Sequence, residues 1–186
     1  MSVQPVRLFG DPVLRTRAEQ VVDFDAELRR LVADLTDTMR EQEGAGLAAP
    51  QIGVGLRVFT YRVEDVEGHV VNPTWEVVGT EQQDGQEGCL SIPGLRFECR
   101  RHLQVVTHGW SMHGEPMTLP ASGMLARAVQ HEVDHLDGVL FVDRLDPQTR
   151  RDALREIRAA EWFGAPTPVV KLNPPGLHGV LDRARR

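Results

Sequence analysis

The segment from Ser122 to Gly138 sets the strongest condition on this chain. Ser122 is a good helix N-cap. Met124, Leu125, Ala128 and Val129 follow at helical spacing, and Gly138 stops the run. Into that apolar helix is set Gln130-His131-Glu132-Val133-Asp134-His135. His131 and His135 are four apart, so both imidazoles project from one face about one turn apart. Because the helix is otherwise apolar, they belong to the interior rather than to a solvated face. The fold has to enclose a helix that carries polar chemistry.

The rest of the chain supplies the enclosure. With 41% apolar residues, 186 residues are enough for one core, and 26% charge is ordinary for a globular chain. A first helix is predicted from Asp25 to Gln42, where Leu28, Leu31, Val32, Leu35 and Met39 form one stripe and Gly44 stops it. Residues 11–22 read as a loop or short turn. Arg57–Val63 reads as a strand up to a turn at Glu64–Gly68, and His69–Asn72 as a second strand closed by Pro73. Trp75–Val78 and Leu103–Val106 are further strands. No helix-length pattern separates them, which favours antiparallel pairing. Val139–Leu145 reads as extended. A third helix opens at Asp146-Pro147 and continues to about Phe163. The expected class is α+β: antiparallel strands around the histidine helix, with an N-terminal and a C-terminal helix. Residues 1–163 read as one domain. Residues 164–186, with Pro166, Pro168, Pro174 and Pro175, read as an irregular basic tail.

Charge and cysteine content narrow the function classes. No apolar run approaches the about 18–20 residues of a membrane span. The N-terminus lacks the apolar region of a signal peptide, so the chain reads as unexported and cytoplasmic. A net charge of −6 argues against general nucleic-acid or DNA binding. Residues 1–145 carry 22 acids and 13 bases, whereas residues 146–186 carry 5 acids and 8 bases. The basic end reads as a solvated helix face and a loose end, or as a contact for something anionic. A disulfide between Cys89 and Cys99 is not expected in an unexported chain.

The pattern His-Glu-x-x-His lets two imidazoles grip one divalent ion while Glu132 reaches a water as general base. The competing reading is a pair of surface histidines. Cys89, in Gln86-Glu87-Gly88-Cys89-Leu90-Ser91, offers a third, soft ligand, or is simply a small buried hydrophobe. Cys89, His131 and His135 would leave one position open, as catalytic sites do. Adding Cys99 would close the site, although structural zinc cysteines usually stand about two to four residues apart. The other five histidines (His69, His102, His108, His113, His178) have no assigned role. Gly44-Ala45-Gly46-Leu47-Ala48-Ala49-Pro50-Gln51 is either a loop that lets backbone approach a ligand or a tight turn packed on the core. It lacks the Lys-Ser/Thr of a phosphate loop.

Three of these segments, Gly44–Gln51, Glu87–Ser91 and Gln130–His135, resemble in order and spacing the signature motifs of the peptide deformylases, GxGLAAxQ, EGCLS and QHExDH. The likeness covers roughly residues 5–160 and includes Asp11-Pro12-Val13-Leu14-Arg15 and Val71-Asn72-Pro73. It implies strands around the histidine helix and removal of the N-formyl group from the initiator methionine of nascent polypeptides. It also implies one divalent ion per chain, expected as iron(II), with zinc, nickel or cobalt able to replace it. Position by position, it implies Cys89, His131 and His135 as metal ligands and Glu132 as general acid/base. Gln51 and the backbone N–H of Leu90 take the place of oxyanion donors. Gly46, Glu87 and Gly88 fall at substrate contacts, and Arg96 resembles an arginine that pairs with the Glu87 position. Ala45 and Ala128 are small where larger residues often line the methionine pocket.

Two rivals share some of these features. A zinc endopeptidase would use the same helix but take a third ligand downstream, where Asp137, Asp143 and Asp146 are the candidates. A non-catalytic protein would close the site with Cys99. A ribosome contact through the basic helix at residues 146–163 is a further expectation.

Overall fold

The computed structural model describes residues 2–164, and the expected tail beyond Gly164 lies outside them. The chain begins with a 3-10 turn, Pro12–Arg15, capped by the Asp11 side chain. Helix α1 (Ala26–Glu41) starts where Asp25 accepts the N–H groups of Glu27 and Leu28. Nine strands are described: β1 (Gly46–Ala48), β2 (Val58–Val63), β3 (Val66–Val77), β4 (Gln82–Gln83), β5 (Gln86–Cys89), β6 (Ile92–Glu98), β7 (Arg101–His102), β8 (Gln104–Trp110) and β9 (Pro116–Ser122). Helix α2 (Gly123–Leu136) follows, then a 3-10 turn Phe141–Asp143 and helix α3 (Pro147–Ala159). A five-stranded sheet runs β1-β2-β3-β8-β9, antiparallel throughout. The pairs β4–β7 and β5–β6 stand apart from it. The α+β class expected from the sequence is the observed one.

Period-two alternation explains why this sheet can lie between two helices. Ala48, Phe59, Tyr61 and Val70 point to one face, where they pack with Ala126, Val129, Val133 and Leu136 of α2. Leu47, Val58 and Val71 point to the other, where they meet Leu28, Val32, Leu35 and Met39 of α1. Away from the sheet, Ile92, Leu140 and Phe141 form a third cluster closed by Ala153 and Ile157 of α3. Every residue of α2 from Ala126 to Leu136 is buried. Its C-terminal end is held by Arg57, which donates to Leu136 O at 3.3 Å and Asp137 Oδ1 at 2.7 Å. Among the described residues no helix is long and apolar enough to cross a membrane.

Several local expectations need correction. Helix α1 ends through Glu43, at φ 51°, rather than through Gly44. Glu43 N–H and Gly44 N–H bond back to Arg40 O and Met39 O, closing the turn. Pro73 does not close the second strand. Strand β3 continues to Val77 through a bulge between Val71 and Thr74, absorbing the expected Trp75–Val78 strand. Residues 139–145 are not extended throughout, because Asp143 Oδ2 accepts the Leu140 N–H and curls the chain into the 3-10 turn. Helix α3 stops at Ala159, and Trp162 then donates to Pro93 O at 3.1 Å. Ser122 is the N-cap of α2, but its hydroxyl makes no capping bond. Strands β1, β4, β5, β6, β7 and β9 escaped the pattern reading. Strand β9 carries Pro116 and Pro120, which its place at the sheet margin tolerates.

The β3 bulge depends on one side chain. Asn72 sits at φ 50°, accepts Val21 N–H at 2.8 Å and donates to Val21 O at 2.9 Å. Asn72→Ala loses both bonds and keeps a side chain in the left-handed region, so it should lower stability by about 2–3 kcal/mol. Asn72→Gly should recover part of that loss. Urea denaturation of the two variants checks both expectations.

Candidate metal centre

Three side chains from two elements converge beneath the sheet. Cys89 ends β5, whereas His131 and His135 stand one turn apart on α2. Cys89 Sγ lies 3.2 Å from His135 Nε2, which lies 3.2 Å from His131 Nε2. Each residue offers one ligand atom, and the three atoms lie within 4.8 Å of one another. Tetrahedral bonds of about 2.0–2.3 Å separate ligand atoms by about 3.3–3.6 Å, so the donor set fits a divalent ion. Both imidazoles are buried, at 8% and 1% exposure, which rules out the surface-pair reading.

Hydrogen bonding fixes which nitrogen His131 offers. Its Nδ1 lies 2.7 Å from Glu87 Oε1, leaving Nε2 for the cluster. Among protein groups alone, burial lowers His131, but Cys89 and Glu87 outweigh it and raise its pKa well above the ordinary value. Burial and the neighbouring His131 push His135 well below it. Two facing nitrogens this close cannot both carry a proton.

Gln51 and Leu90 border the cluster. Gln51 is 1% exposed and lies in a 3-10 turn, Ala49–Ile52. Its Oε1 accepts Ala48 N–H at 2.8 Å, which orients the amide so that Nε2 points to Cys89 Sγ at 3.6 Å and Ser91 Oγ at 3.3 Å. Leu90 occupies the two-residue turn between β5 and β6, and its N–H makes no hydrogen bond among the described residues. Glu132 is 3% exposed, and its Oε2 is buried without a partner. Burial pushes its carboxyl up to about 7. Gly46 of β1 lies against that carboxylate: a Cβ there would collide with Glu132 Oε1. The Gly44–Gln51 segment is thus part of the site wall, and it is built as strand β1 running into a 3-10 turn rather than as a loop.

The expected pairing of Arg96 with Glu87 is not found. Arg96 is exposed and stands opposite Gly88, whose Cβ would lie 3.1 Å from Arg96 Cγ. Glu87 instead meets Arg101 Nε and Nη2 at 3.1 and 2.6 Å, and Arg127 Nη1 at 2.9 Å. Its carboxylate is buried, so it faces His131 rather than an open surface. Arg101 also donates to Asp134 Oδ2 at 2.7 Å. Arg101 and Arg127 were missed because nothing in their spacing marks them, although a buried Glu87 demands a cation. Ala45 is exposed on the approach to β1, and Ala128 is buried on α2 one turn before His131.

The rival ligands are engaged elsewhere. Cys99 is absent from the cluster, and burial pushes its thiol up to about 11. Asp137 pairs with Arg57, Asp143 with Arg15 and Arg150, and Asp146 caps α3. Among the described residues no other histidine joins a metal-holding group, and His178 lies outside them.

Burial alone would raise the Glu87 carboxyl, but hydrogen bonds from His131 and Arg101 hold it far below the ordinary carboxylate range. A depressed carboxyl stabilises the fold above its unfolded value of about 4.3, and that stabilisation is lost as pH falls towards the folded value. Glu87→Gln should therefore be less stable at neutral pH and lose less on acidification. Urea midpoints of both proteins between about pH 6 and about pH 3 check this.

Comparison with known proteins agrees with this geometry. The family described as polypeptide deformylase matches residues 3–151. A peptide deformylase of Acidothermus cellulolyticus is 59% identical over 174 residues, 94% of this chain and 96% of that one. One from Parafrankia sp. is 56% identical over 180 residues, 96% and 98% of the two chains. The crystal structure of peptide deformylase from Thermus thermophilus superposes with a TM-score of 0.79 at 41% identity, covering 85% of this chain and 95% of that one. The peptide deformylase from Ehrlichia chaffeensis in complex with actinonin gives 0.81 at 32% identity, covering 87% and 99%. By fold, and by sequence along most of its length, the chain belongs to the peptide deformylase family.

Proposed function

We propose that residues 1–163 form one hydrolytic unit in the cytoplasm. It removes the formyl group from the initiator methionine of nascent polypeptides and releases formate. Deformylation follows from the family; the roles of single residues rest on the geometry. The observation that carries them is the convergence of Cys89 Sγ, His131 Nε2 and His135 Nε2, with the Gln51 amide beside them.

Cys89, His131 and His135 would hold one divalent ion, which when bound supplies the Lewis acidity that makes hydroxide available near neutral pH. Iron(II) is the proposed resident ion, and zinc, nickel or cobalt suit the same donors. Glu132 takes a proton during attack on the formyl carbon and returns it to the departing amine. A buried carboxyl near 7 can do both at neutral pH. Gln51 Nε2 and the unbonded Leu90 N–H donate to the oxyanion that forms on the formyl oxygen. Formyl is preferred over longer acyl groups because its carbon bears only hydrogen. Gly46 and Gly88 give the peptide close backbone approach, Ala45 and Ala128 leave the methionine side chain room, and exposed Arg96 stands at the rim. Glu87 serves through His131.

The test is formate release from a formyl-Met-Ala-Ser peptide by protein purified without oxygen and loaded with iron(II). The formyl peptide should be cleaved and its acetyl analogue left intact. Glu132→Gln should lose about 10²–10⁴-fold in rate while keeping its ion. Cys89→Ser should lose the ion, and Cys99→Ser should keep it. An unaltered protein that binds one ion yet spares the formyl peptide would overturn the reading.

Arg150, Arg151, Arg155 and Arg158 are exposed on α3, and contact with the ribosome through this face is proposed with the same function. Charge reversal at Arg151 and Arg158 should weaken co-sedimentation with ribosomes. Unchanged co-sedimentation would remove the contact.

A further inference from the structure

The proposed reaction leaves several buried arginines without a role, and Arg101 is one that joins two carboxylates. Arg101 is 6% exposed, and its guanidinium is fully committed. Nε and Nη2 hold both oxygens of Glu87, and Nη1 holds Asp134 Oδ2. These carboxylates stand on different elements. Glu87 is on β5, two residues before Cys89, whereas Asp134 is on α2, directly before His135 and one turn after His131. The β5–β6 hairpin has no ladder to the five-stranded sheet, and β7 pairs with β4 alone. Strand pairing therefore does not set the distance from the sulfur to the imidazoles. Packing around Ile92 and Phe141 is non-directional. The directional links from Glu87 to α2 run through His131, Arg127 and Arg101, and of these Arg101 alone also holds Asp134.

We propose that Arg101 is a positioning residue, a strut that fixes the Cys89–His131–His135 separation and thereby the affinity and coordination geometry of the bound ion. The inference rests on the metal reading above. Arg127 also reaches from α2 to Glu87, but through one nitrogen shared with Cys99 O, and it does not hold Asp134. It keeps Glu87 paired when Arg101 is altered, as Arg144 keeps Asp134 paired through bonds of 3.1 and 2.6 Å. Arg101→Lys should therefore fold. Its single ammonium cannot reproduce a fork spanning two carboxylates.

The experiment loads the full chain and its variants with cobalt(II) without oxygen. It records the thiolate-to-cobalt and d–d absorption bands, chelator competition, and thermal unfolding before loading. Arg101→Lys should unfold close to the unaltered protein, yield its ion about 10–100-fold more readily, and show shifted d–d bands. Read beside an Arg144→Gln control, Asp134→Asn keeps the Arg101–Glu87 contact and weakens the links of Asp134 to Arg101 and Arg144. It should move both readouts in the same direction, and it decides the matter if Arg101→Lys does not fold. Unaltered bands and affinity in either folded variant overturn the inference. No thiolate-to-cobalt band in the unaltered protein overturns the metal reading itself, and the strut with it.

Discussion

The contact on which the rest of the site depends is the 2.7 Å bond between Glu87 and His131 Nδ1. It places a carboxylate where no water can solvate it, and a buried ion costs several kcal/mol unless it is paired. Arg101 and Arg127 supply the pairing, and Asp134 with Arg144 balances Arg101 in turn. Such a network adds little net stability over apolar packing. What it contributes is orientation: one tautomer, one ring plane and one nitrogen presented to the cluster.

That network needs a dry surrounding, and the sheet provides it. Strands β1 and β2, with Val70 and Val71 of β3, are apolar on both faces because α1 covers one and α2 the other. Runs such as Val58–Tyr61 are therefore nearly continuous in apolar residues. The same enclosure raises Glu132 and leaves its Oε2 unpartnered, so the environment that costs stability also prepares a proton-transfer group.

Much of this was legible in the residues. The i, i+4 histidines inside an apolar helix announced both a buried helix and a pair of donors, and Asp25 and Asp146 announced two helix starts. The strands that escaped are those whose pattern is governed by something other than alternation. Strand β1 is three residues long and shaped by the approach of Glu132, and β5 bends to present Cys89. The Pro73 reading failed because a proline can sit in a bulge as well as end a strand. The partners of Glu87 could not be read from spacing at all. Arg101 and Arg127 lie 14 and 40 residues away, and either could have been exchanged for Arg96 until the register placed Arg96 opposite Gly88.

Prolines at Pro116 and Pro120 bear on a different matter from catalysis. Strand β9 is an outer margin of the five-stranded sheet, and an outer margin is a template on which a second chain can lay a strand. Each proline removes one donor from that template. At the high local concentrations of a crowded cell, this margin resists edge-to-edge aggregation by its covalent structure, with no covering segment required.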